Sequence, residues 1–85
     1  MVGWMISGLH IRAARALLRW SSGDLAEASE VGIATIKRYE LTDGVPSGNT
    51  HTLGAIQAAL EAAGIEFIGT AEDGPGVRLK PKTSR

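Results

Sequence analysis

The chain has 85 residues, nine basic and nine acidic side chains for a formal net charge of zero, two histidines and no cysteine. That length supports one small domain, which buries about 60 to 65% of its unfolded surface, and the absence of thiols excludes a disulfide framework and a thiolate metal site. No apolar run approaches the roughly 20 residues that span a bilayer, so a cytoplasmic protein with no membrane partner is expected.

Residues 1–5 and 81–85 read as flexible ends. Ser7 is placed to cap a helix over 8–20, with Ile11, Ala14, Leu17 and Leu18 as its apolar stripe. The stretch MVGWMISGLHIRAARALLRW has arginines and no acid, as transit peptides do, but His10, Arg12, Arg15 and Arg19 interrupt any signal-peptide apolar core. It reads as the first helix of the domain.

Two short helical patterns follow within residues 20–46, WSSGDLAEASEVGIATIKRYELTDGVP, too close together for anything but a sharp turn. That is the layout of a helix-turn-helix. The first pattern opens on Ser21, an N-cap residue, has Asp24 near the positive helix end, and puts Leu25, Ala26 and Ser29 on one face. In the second, over 34–41, Ile36 and Tyr39 face back to the first while Lys37 and Arg38 point away. A short helix with an outward basic face suits the major groove of DNA.

The segment TDGVPSGN is a loop by its turn formers. A further helix is expected over 50–63, with Leu53, Ile56, Leu60 and Ala63 inward, Gly64 as a left-handed C-terminal cap, and Gly54 marking a close helix contact. The period then changes to alternation. Ile65 and Phe67 oppose Glu66, and Val77 and Leu79 oppose Arg78 and Lys80, which predicts two strands joined by GTAEDGPG. An isolated ribbon is marginal in water, so this hairpin, residues 65–80, is expected to pack on the helical unit of 6–64 or to pair with another chain.

A net charge of zero is a mild argument against nucleic-acid binding. The charges are separated, however: residues 1–20 hold bases and no acid, 21–72 are mainly acidic, and 73–85 are mainly basic. Such separation can still create a local positive face.

Taken together, Arg15, the run 21–26, Val31, the run 34–37, Glu40 and Pro46 resemble the helix-turn-helix of the Cro and lambda-repressor type, the XRE-like group of bacterial and phage transcriptional regulators. The tail LEAAGIEFIGTAEDGPGVRLK resembles the ending of small single-domain members. The resemblance implies a mainly α, lambda-repressor-like bundle of four to five helices with a short C-terminal antiparallel β-hairpin, binding double-stranded DNA in a sequence-specific way as a homodimer. Helix 33–41 would be the recognition helix.

On that resemblance the DNA-binding set is Ser22, Gly32, Ile33, Ala34, Thr35, Lys37, Arg38, Ser47, Asn49 and Thr50. Lys37 and Arg38 carry the donors that phosphates and guanine edges accept; Ser22, Ser47, Asn49 and Thr50 would meet phosphates, with Arg12 and Arg19 as outlying additions. Arg15 and Glu40 match the family's structural ion pair. The chain departs from the family at several points: Gly32 stands for a serine cap, apolar Ile33 and Ala34 for polar base readers, Ser22 for a glutamine, and Glu30 for the glycine of the turn. A non-glycine residue in that left-handed position carries a strain of about 1 kcal/mol. Trp20 and Tyr39 are expected in the core.

Catalytic groups are few. His10 and His51 stand far apart and at no spacing that pairs them with a carboxylate or with each other on a metal. Ser21, Ser22 and Asp24 are ordinary helix-start residues. Neither enzyme activity, nor a metal, cofactor or small-molecule ligand, is expected. A second reading keeps the helix-turn-helix as scaffold for protein interaction, as in an antitoxin-like or adaptor module, with Ile33 and Ala34 as the partner-binding residues.

Overall fold

A computed structural model of the chain describes residues 6–48 and 50–81. It contains four helices, α1 (Gly8–Leu18), α2 (Ser22–Ser29), α3 (Ile33–Glu40) and α4 (Thr50–Ala62), followed by β1 (Ile65–Ile68) and β2 (Gly76–Leu79). This is a mainly helical bundle with a C-terminal antiparallel hairpin.

Helix α1 opens with a capping box. The Ser7 hydroxyl accepts from the His10 amide, and His10 Nδ1 accepts from the Ser7 amide at 3.0 Å. The helix stops two residues before the expected boundary because Arg19 turns left-handed, with φ 59°. Ser21 must be extended to cap α2, so α1 cannot run on through Trp20. In α2 the cap is reciprocal: the Asp24 amide donates to Ser21 Oγ and the Ser21 amide to the Asp24 carboxylate. Glu30 then takes the left-handed position, again at φ 59°.

The core is drawn from every helix and from β1. Ile6, Ile11, Ala14, Leu25, Ile36, Tyr39, Leu53, Ile56, Leu60 and Ile65 are buried, with Leu18, Trp20, Phe67 and Val77 partly buried against them. Leu17 does not join the stripe assigned to it; it is 44% exposed. At about 100° per residue it lies about 120° round the helix from Ile11, whereas Leu18 lies about 20° away. Ala63, just beyond the end of α4, is half-buried.

Gly54 likewise differs from expectation. It is exposed, and a Cβ there would meet nothing within 4 Å. The close approach falls instead at Gly8, where a Cβ would overlap the carbonyl oxygens of Tyr39 and Thr42. The Gly8 amide donates to the Gly44 carbonyl at 2.9 Å, joining the start of α1 to the loop after α3.

Gly64 ends α4 with the expected positive φ, 107°. The hairpin pairs Ile65 with Leu79, Glu66 with Arg78, Phe67 with Val77 and Ile68 with Gly76. Strand β2 lies against α1 and β1 against α4, so the hairpin packs on its own helices. Ile65, Phe67 and Val77 face inward; on the outer face Arg78 meets Glu66 at 2.8 Å.

Candidate nucleic-acid interface

Only residues 30–32 separate α2 from α3, and the shape of that turn decides what α3 presents. Its inner face is Ile36 and Tyr39, both buried. Ile33, Ala34, Lys37 and Arg38 are exposed on the outer face, and Thr35 is half-buried at its border. Two i,i+4 pairs, Ile33 with Lys37 and Ala34 with Arg38, therefore form a single stripe. Gly32 is exposed and offers no side-chain cap. The Arg38 guanidinium carbon lies 5.2 Å from the Tyr39 ring centroid, a cation–π contact that holds the head group near the helix.

The sole acid of α3, Glu40, is taken out of this face. Arg15 Nε donates to Glu40 Oε2 at 2.7 Å and Nη2 to Oε1 at 2.8 Å, while Nη1 donates to the Trp20 carbonyl at 2.8 Å. The Glu40 residue is 8% exposed. Bonding to Glu40 raises the Arg15 pKa above its ordinary value, against the opposing effect of burial. The guanidinium thus stays charged until strongly alkaline pH, and its contribution to stability is lost only as pH rises through that raised value. Arg12 adds a second tie: it donates to the Glu40 carbonyl and, at 2.9 Å, to Asp43 Oδ1. Arg12 is thus engaged at the end of α3. Arg19 is exposed at the left-handed end of α1.

The other expected phosphate contacts are distributed unevenly. Ser47 is exposed in the loop after α3, and Thr50 is exposed at the start of α4. A Cβ on Gly48 would lie 3.7 Å from the Tyr39 hydroxyl, so this loop sits against the residue that anchors α3. Asn49 lies outside the described residues. Ser22 is half-buried at the first position of α2, and the carboxylate of Asp24 already occupies that helix end. Beside it, Trp20, Asp24, Glu27 and Ala28 line an open, acidic depression. Of the expected contact residues that are described, those fully exposed are Gly32, Ile33, Ala34, Lys37 and Arg38 at α3 and Ser47 and Thr50 after it.

His10 has a role that sequence reasoning missed. The ring is buried, its Nε2 is 3.0 Å from the Ile68 carbonyl, and it meets Phe67 edge-on at 5.7 Å between centroids. The Ser7 amide can only donate and the Ile68 carbonyl can only accept, so Nδ1 is unprotonated and Nε2 carries the proton. The signal was Ser7 followed by His10 at capping-box spacing, disguised because histidine stands where glutamate or glutamine is usual.

No family model matches the chain, nor does any curated protein or solved structure. Among the described residues no three His, Cys, Asp or Glu side chains come together as metal ligands, and no helix is long and apolar enough to cross a membrane.

Proposed function

We propose that the chain is a sequence-specific DNA-binding transcriptional regulator, acting in the cytoplasm as a homodimer. The supporting observation is the outer face of α3: two exposed cations, two exposed apolar residues, and an acid drawn inward by Arg15. A helix of eight residues whose outer face stands clear of the core fits the major groove. The loop carrying Ser47 and Thr50 would hold the flanking phosphate backbone. In a two-fold dimer the recognition helices would sit one DNA turn, about 34 Å, apart. The likeness of the 20–46 segment to Cro-type regulators supports the same reading.

The test is fluorescence anisotropy against duplexes from the gene's own upstream region and against scrambled controls, at low and physiological salt. Tight, sequence-preferring binding that weakens with salt is expected. Weak, equal binding to both duplexes would overturn the proposal. The alternative, a protein-interaction module, has one specific observation in its favour: Leu41, at the end of the same stripe, is 84% exposed, with Val45 42% exposed beyond it. A partner captured equally well after Lys37 and Arg38 are replaced would favour that alternative.

A further inference from the structure

The first turn of α3 carries no side chain able to make the bidentate hydrogen bonds by which arginine, asparagine or glutamine read a base. Gly32 at the N-cap and Ile33 and Ala34 in the turn are exposed, and Thr35 beside them is half-buried. Ile33 is 46% exposed, and its Cδ1 lies 3.9 Å from where a Cβ on Gly23 would stand, so its tip sits beside the first turn of α2 while much of the side chain stays open to solvent. One turn further along the same stripe stand Lys37 and Arg38, which would bring a phosphate-lined groove to these apolar groups.

Building on the DNA-binding reading above, we infer that Ile33 and Ala34 read the 5-methyl groups of thymines in the major groove. The methyl is the one apolar group a base pair shows on that side. The preferred half-site therefore holds thymine opposite the first turn of α3, and Lys37 supplies the neighbouring polar contact. Recognition at this position rests on burying methyl carbon against methyl carbon, so it is sensitive to removal of a single methyl group.

The experiment selects duplexes from a random 20-base-pair library with the full chain, then replaces each thymine of the selected duplex, one at a time, by deoxyuridine. Uracil keeps every hydrogen-bonding group and lacks only the methyl. Affinity is expected to fall about fourfold per contacted methyl, the effect of uncovering one such group, at one or two positions per half-site. The variant Ile33→Ala, on an exposed position of a helix, should bind the thymine and uracil forms of its contacted position alike, whereas Lys37→Ala should weaken both and keep the difference between them. Uracil without effect at every position, with binding still dependent on salt and on Lys37, would overturn the thymine contact and leave DNA binding standing. Selection that enriches no duplex would overturn both.

Discussion

Arg15 and Glu40 meet through two parallel hydrogen bonds of 2.7 and 2.8 Å, and the pair is unequal in exposure: the arginine side chain is 24% accessible and the glutamate 9%. Removing the arginine strands a buried carboxylate, whereas removing the glutamate leaves a guanidinium that keeps the Trp20 carbonyl and some water. Arg15→Ala is therefore expected to cost about 3 kcal/mol, and Glu40→Ala less. Urea unfolding of both variants checks the order; equal losses would contradict it.

Two glycines in helices should respond to alanine in opposite directions. At Gly8 the new methyl overlaps backbone oxygens that belong to another element, so Gly8→Ala should shift the first turn of α1 and destabilise by about 2 kcal/mol or more. At Gly54 the site is open, so Gly54→Ala should stabilise by about 0.5 to 1 kcal/mol. Thermal unfolding of the pair is sufficient.

Glu30→Gly relieves a left-handed backbone that glycine adopts without penalty. A gain of about 1 kcal/mol is expected, or about 4 to 8 °C in Tm for a domain of this size. An unchanged Tm would mean that the glutamate side chain contributes as much as its backbone costs, and a lower one that it contributes more.

His10→Phe keeps an aromatic ring beside Phe67 but leaves the Ser7 amide and the Ile68 carbonyl without their partner. The loss is expected at about 1 to 3 kcal/mol. Hydrogen exchange should show it in the amides of β1 and β2 as well as in the first turn of α1, because one ring ties the two together.

If α3 enters a groove, Lys37→Ala and Arg38→Ala should each reduce the salt dependence of DNA affinity by about one unit of slope. Arg38 should show the smaller change, since its head group is already held over Tyr39. Binding isotherms across a salt series measure both.

The periodic features of this chain were legible because each depends on neighbours in sequence. Ser7, Ser21 and Gly64 mark helix ends through local backbone geometry, and Ile36 and Tyr39 declare the inner face of α3 by their spacing. Features that depend on another element were not. Gly54 looked like a packing glycine and Gly8 did not, because only the path of the loop after α3 decides which one is crowded. Arg12 has the composition of a phosphate contact but is held by Asp43, 31 residues away. In the candidate interface, Lys37 and Arg38 stand exposed where the pattern put them, whereas Ser22 is half-buried at a helix end where the Asp24 carboxylate already accepts from the Ser21 amide.

The bond from His10 to the Ile68 carbonyl spans 58 residues, and it changes how this domain can be made. During synthesis, α1 leaves the ribosome long before the strand that completes its first turn. The first turn of α1 reaches its finished form only once residue 68 has been made, and removing the hairpin would take away a fastening of the first helix rather than a dispensable tail. Locking of the start of α1 is therefore expected to be a late event in folding, coupled to the docking of β1.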